Sequence, residues 1–223
     1  MGREILPLTL DRLSDLPGAC GRCLFWELGP AQAAQVRPGD DAIDAKEGWL
    51  TTVLLEWGSP GRVAYVDGVP AGWIGFAPAH LVPRSGAFAT SPVSQDAVVL
   101  TTAHILPEHR GTGLGRVLVQ AAAKDGLRRG VRALEAYGST RLTLPAAGAA
   151  GPVCVLPSDF LRAVGFRTTR EHPTSPRLRL DLRTVLRWRS EVEQAVERLF
   201  APVRGLGAPA PVGAAHRDDP TAL

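Results

Sequence analysis

Ile105-Leu-Pro-Glu-His-Arg-Gly-Thr-Gly-Leu-Gly-Arg116 is the stretch on which the reading of this chain turns. Val98 to Ile105 leads into it, apolar and of strand length. Gly113 to Arg129 leads out of it at helical spacing, with Leu114, Val117, Leu118, Ala121 and Leu127 on one face and Gly130 as a C-terminal stop. Three glycines in five residues mark the junction. Glycine takes positive φ without steric cost, so the backbone can turn tightly and approach a ligand closely. The first turn of a helix has N–H groups without intrahelical partners and the positive end of a dipole, which suits an anion such as phosphate. Arg110 and Arg116 add positive charge at either edge.

Several phosphate motifs share this physics, and the letters separate them. A Walker loop needs Gly-Lys-Ser/Thr, but Gly115 is followed by Arg116 and Val117. A dinucleotide fingerprint needs a third glycine three residues after a Gly-x-Gly pair. The positions in question hold Arg116 and Leu118.

Arg110-Gly-Thr-Gly-Leu-Gly115 matches the Arg/Gln-x-x-Gly-x-Gly/Ala motif of GNAT N-acetyltransferases. Pro107 precedes it at the family's usual spacing. Phe160-Leu-Arg-Ala-Val-Gly-Phe166 resembles the family's late helix and Gly-Phe element. The resemblance covers about residues 4–183.

It implies an α/β (α+β) fold: a mixed, mostly antiparallel sheet whose fourth and fifth strands, 98–105 and 131–137, splay apart between flanking helices. It implies acetyl-CoA as acyl donor and an amine, on a small molecule or a protein, as acceptor. Backbone groups near Ile105 and Leu106 are expected to pair with the pantetheine arm. Those of Gly111, Thr112, Gly113, Leu114 and Gly115, beside Arg110 and Arg116, are expected to hold the pyrophosphate. A base must deprotonate the amine. His104 is the first candidate, because in a period of two it faces away from Ala103 and Ile105; Asp96, at the strand's start, is the second. The family's usual tyrosine four residues before the late glycine is replaced by Leu161.

The rest of the chain fits around this segment. Residues 4–10 read as a strand. Asp44, three before Glu47, has capping-box spacing, and Trp49, Leu50, Val53, Leu54 and Trp57 continue a helix over 44–57. Asp67-Gly68 between Val63–Val66 and Val69–Phe76 is a hairpin signal, with Pro70 at an edge or unpaired position. Residues 77–95 and 138–152 read as long connections. Ser158 is expected to cap a short helix ending at Gly165, and Arg177 to Leu182 alternates as a half-buried strand. Trp26, Trp49, Trp57 and Trp73 read as core, with Trp73 in the hairpin the best of the four for a pocket wall.

Residues 184–200 read as a C-terminal amphipathic helix packed on a 1–183 domain, with a homodimer contact as the alternative; 201–223 read as a tail without apolar bulk.

The net charge is +3, and 45% of residues are hydrophobic against 21% charged, the balance of an ordinary globular protein. No basic stripe with interleaved aromatics suggests nucleic acid, and no apolar run reaches the ~18 residues of a membrane span. With three cysteines and no leader pattern, the expected compartment is the cytoplasm. Cys20-Gly-Arg-Cys23 reads first as structural, second as a redox-sensitive pair and third as half of a zinc site. No metal is expected.

Overall fold

The structure is a computed structural model that describes residues 2–140 and 154–183. These residues fall within one compact unit, Met1–Arg187. The expected helix of 184–200, the tail of 201–223 and most of the 138–152 connection lie outside them.

In chain order the elements are β1 (Arg3–Pro7), α1 (Pro30–Ala33), α2 (Asp40–Glu56), β2 (Gly61–Val66), β3 (Val69–Ala77), β4 (Ala97–Ile105), α3 (Leu114–Arg128), β5 (Ala133–Ser139), β6 (Leu156–Pro157), α4 (Ser158–Ala163), β7 (Arg167–Arg170) and β8 (Arg177–Asp181). The main sheet runs β1-β2-β3-β4-β5-β8-β7, with β6 paired to β5 off this path. Neighbours are antiparallel except β4–β5 and β5–β6, which are parallel. This is the expected mixed, mostly antiparallel sheet flanked by helices.

The β2–β3 hairpin turns at Asp67 (φ 50°) and Gly68 (φ 81°), the two successive positive φ values that a type I′ turn demands. Pro70 lies just beyond the β3–β4 ladder, which begins at Gly72 opposite Ile105, so its missing N–H costs that ladder nothing.

Both faces of the sheet are covered. On one, Leu114, Leu118, Val119 and Ala122 of α3 and Leu161 of α4 pack on Ala64, Ile74, Phe76, Leu100, Leu134 and Leu178. On the other, Leu50 of α2 packs with Leu8, Val63 and Trp73, and Val53 packs with Trp26, Val99 and Tyr137.

Several boundaries differ from the sequence expectation. The first strand stops at Pro7 rather than residue 10, because its partner β2 begins at Gly61 and offers no ladder further on. The chain then turns into short 3₁₀ segments, Leu10–Asp15 and Gly18–Arg22. Helix α2 starts at Asp40, after Gly39 at φ 108°, so Asp44 is inside the helix and not its cap. Asp40 and Asp41 occupy the first turn, where negative charge suits the dipole. In α3 the buried face is rotated: Val119, Ala122 and Ala123 are buried, whereas Val117 and Ala121 lie on its margin. The strand after α3 starts at Ala133 rather than Val131, because the Val131 N–H closes the helix end on the Gly126 carbonyl at 2.9 Å. Ser158 is the first helical residue of α4 rather than its cap. The polar edge strand β7 carries no apolar alternation and had no sequence signal.

Candidate active site

Strands β4 and β5 pair only through Ala97–Ala133, Val98–Leu134 and Val99–Glu135. Past that point they diverge, since β5 continues as the partner of β8 and β6 while β4 continues along β3. A gap therefore opens beside Leu100–Ile105. Helix α3 crosses from one strand to the other, and its N-terminus faces the wide end.

The two sides of β4 are set by its register. Leu106 donates its N–H to Ala71 at 3.0 Å, toward β3. Peptide groups alternate sides along a strand, so those of Ile105 and Ala103 point toward the gap. Ile105 is thus on the gap side, with its carbonyl accepting from Arg110 Nε at 3.1 Å. Leu106 is not: its N–H is held by Ala71 and its carbonyl accepts the His109 N–H at 2.9 Å. Ala103 and Ile105 are therefore the β4 residues whose peptide groups face the gap.

The glycine turn has two kinds of glycine. Gly111 (φ 74°) and Gly113 (φ 83°) are in the left-handed region, with nothing within 4 Å of a built Cβ. Backbone conformation requires them, and open space lies beyond them. At Gly115 a Cβ would lie 3.1 Å from Phe160 Cε2, so that glycine lets α4 pack against the start of α3. Arg116 Nη2 donates to the Ala163 carbonyl at 2.7 Å, tying the same two helices, and Thr112 Oγ1 donates to the His109 carbonyl at 2.7 Å. Leu114 is buried, anchoring the first turn of α3 whose N–H groups face outward. Positive charge, open N–H groups and unobstructed space make this turn fit the pyrophosphate of a coenzyme A thioester.

On the α2 face of β4, Thr102 and His104 line a small cavity with Cys20, Cys23, Trp26, Glu27, Lys46, Trp73 and Cys154. Ala103 and Ile105 pack into the opposite core, the alternation the sequence reading used to place His104. Burial and the nearby Arg110 charge push the His104 pKa below its ordinary value, so the imidazole is neutral near pH 7. Trp73 stands opposite His104 across the β3–β4 ladder. Its indole nitrogen is buried without a conventional hydrogen-bond acceptor, beside the Cys20 sulfur.

Asp96 is elsewhere. It precedes β4 at the closed end of the gap, eight residues from His104, or roughly 26 Å of extended strand. Both of its oxygens accept from Arg179, at 2.9 Å each. That guanidinium bond holds its carboxyl below the usual carboxylate range. The structure brings His104 to the cavity and removes Asp96 from it.

Two cavity residues were missed. Lys46 and Glu27 form an ion pair with side chains 1% and 5% exposed. Lys46 also donates to the Cys23 carbonyl at 3.0 Å, and the second Glu27 oxygen accepts the Trp26 N–H at 3.0 Å. The signal was present: Lys46 begins the stripe continued by Trp49, Leu50 and Val53, and a lysine on a buried stripe requires a buried counter-ion. Trp26, expected to be core only, also lines the cavity, its Nε1 donating to the Cys154 carbonyl at 2.7 Å.

A mostly antiparallel sheet parted between two parallel strands, with a glycine turn opening the helix that joins them, defines the class of fold. The acetyltransferase (GNAT) family model matches residues 25–147, more than half of the chain, and the chain belongs to that family. In fold it is similar to the PaiA N-acetyltransferase of Thermoplasma acidophilum in complex with coenzyme A (13% identity, 81% of this chain and 99% of that one, TM-score 0.52). It is similar also to an N-acetyltransferase of Staphylococcus aureus Mu50 (16% identity, 82% and 99%, TM-score 0.52). A third likeness is to yncA of Salmonella typhimurium with its cofactor acetyl-CoA (18% identity, 81% and 94%, TM-score 0.50). No curated protein matches the chain in sequence.

Proposed function

We propose that this protein transfers an acetyl group from acetyl-CoA to a primary amine of its acceptor by direct attack. One observation carries the proposal: β4, which parts from β5, runs into the glycine turn of Arg110–Arg116 and presents His104 to the cavity on its α2 side. The fold likeness to proteins bound to coenzyme A and acetyl-CoA supports the choice of donor.

When bound, the thioester supplies an activated acetyl group. Backbone N–H groups of 111–115, with Arg110 and Arg116, hold the pyrophosphate. The Ala103 and Ile105 peptide groups align the pantetheine arm, as an added strand would be aligned. His104, already neutral, accepts a proton from the incoming ammonium directly or through one water.

No tyrosine serves as proton donor to the leaving sulfur. Leu161 is fully buried in the core. Tyr137 stacks on Phe88 at 4.2 Å, and burial pushes its pKa up to about 12. The Tyr65 hydroxyl donates to Asp15 at 2.5 Å, and burial foremost also pushes it up to about 12. A thiolate is a tolerable leaving group without such a donor.

The buried Leu161 is also the one observation that favours a second reading, a non-catalytic acyl-CoA-binding module of the same fold. Calorimetry of acetyl-CoA binding to the wild type and Gly113→Trp, followed by thiol release with a panel of amines, tests both. Loss of binding in the variant and thiol release with some amine are expected. Undiminished binding in the variant overturns the cradle; secure binding without turnover across the panel favours the module.

A further inference from the structure

The Cys20-Gly-Arg-Cys23 motif suggests a pairing that the structure does not make. Cys20 is buried beside Trp73. Cys23, the residue that ends the Gly18–Arg22 turn, faces Cys154 instead, with Sγ–Sγ at 3.3 Å across 131 residues of sequence. The two sulfurs are in hydrogen-bond contact and not in a disulfide. Both residues are half-buried, so a small reagent can reach them, whereas Cys20 is only 6% exposed.

We propose that Cys23 and Cys154 are a peroxide-reactive dithiol, a modification site that small hydroperoxides convert reversibly to a disulfide across the wall of the cavity.

The surroundings support the roles of the two sulfurs. The Lys46 ammonium fixes the Cys23 carbonyl at 3.0 Å, holding the residue against α2. The groups facing Cys23 are Cys154, the Phe25 N–H, Glu27 and Lys46, with Cys20 and His104 on the same cavity. The hydrogen bond with Cys154 foremost, then the Phe25 N–H and the Lys46 charge, lower the Cys23 thiol, against burial and Glu27. Cys154 is pushed up by the same hydrogen bond and by burial, so it remains the protonated partner. Burial also pushes Cys20 up. The lowered thiol is the one that attacks, and its neighbour, in contact at 3.3 Å, resolves the product.

The steps balance. The Cys23 thiolate attacks one peroxide oxygen; an S–O bond forms, the O–O bond breaks, and alkoxide or hydroxide leaves. Cys23 is oxidised to a sulfenic acid and the peroxide is reduced. The Cys154 sulfur then attacks the Cys23 sulfur; S–S forms, S–O breaks, and water leaves with the Cys154 proton. A thiol reductant returns both thiols. The sulfurs must close from 3.3 Å to a bond of about 2.05 Å, a movement that a side-chain torsion can supply.

The test uses the full chain, reduced, then titrated with hydrogen peroxide and mapped by peptide mass spectrometry. No acyl donor is involved, so the result is separate from the acetyltransferase reading. The expected product is a Cys23–Cys154 linked peptide, short of the thiols by two hydrogens and reversed by dithiothreitol. Cys154→Ser should stop at a Cys23 sulfenic acid that dimedone traps, and Cys20→Ser should behave as the wild type. A Cys20–Cys23 linked peptide overturns the proposal. So does wild-type Cys23 reacting no faster than free N-acetylcysteine, a comparison that needs no variant to fold.

Discussion

Trp73 and His104 are opposed across the β3–β4 ladder and line one cavity, although 31 residues separate them in the chain. Half-buried opposite the tryptophan and near the Arg110 charge, the imidazole loses part of the solvation that would favour its charged form. Its neutral form is the one a base needs. The acid limb of kcat/KM against pH should therefore lie below the ordinary histidine value of about 6.5. Activity should rise as pH climbs through that limb and be flat above it. In His104→Ala the limb should vanish and kcat/KM should fall roughly 10²-fold, a usual share for general base catalysis, with acetyl-CoA affinity unchanged.

Gly113 and Gly115 should respond differently to alanine. Gly113→Ala meets no neighbour but keeps a left-handed φ, so it should cost about 1 kcal/mol of stability and weaken acetyl-CoA binding. Gly115→Ala points its methyl at Phe160, so its effect should appear first as a lowered thermal midpoint. Calorimetry and thermal melts on the pair separate the two effects.

Glu27→Gln should leave the Lys46 charge buried and without its counter-ion. A loss of about 3–5 kcal/mol is expected, read from chemical denaturation. Adding Lys46→Met should recover a large part of it. Two losses that simply add would show that the pair is not coupled.

Asp96→Asn should change turnover by less than about twofold, since the carboxylate is far from the cavity, and should cost no more than about 1 kcal/mol, since its side chain is 38% exposed. A loss of activity comparable with His104→Ala would return Asp96 to the chemistry.

What the sequence made legible was local. The strand, glycine turn and helix of 98–129 appear together because each signal lies within one element. Asp67-Gly68 declares its turn in two letters. His104 was placed by alternation alone, and its orientation followed once the opposite face packed on α3. What escaped was long-range. Cys23 meets Cys154 across 131 residues, a contact that no spacing in the sequence predicts. Lys46 and Glu27 come from different elements, and Arg179 captures Asp96 across 83 residues. The boundaries at residues 7 and 133 were set by where a partner ended or a helix closed, neither of which is a property of the segment itself.

The short β4–β5 ladder fixes where the two strands part. Among the described residues, backbone pairing between these strands is confined to three positions at its closed end, and the polar clasp sits there too: Glu135, fully buried, accepts from Ser94 and Arg179, while Arg179 also grips Asp96. The spacing of the two strands is thereby fixed at the end away from the glycine turn.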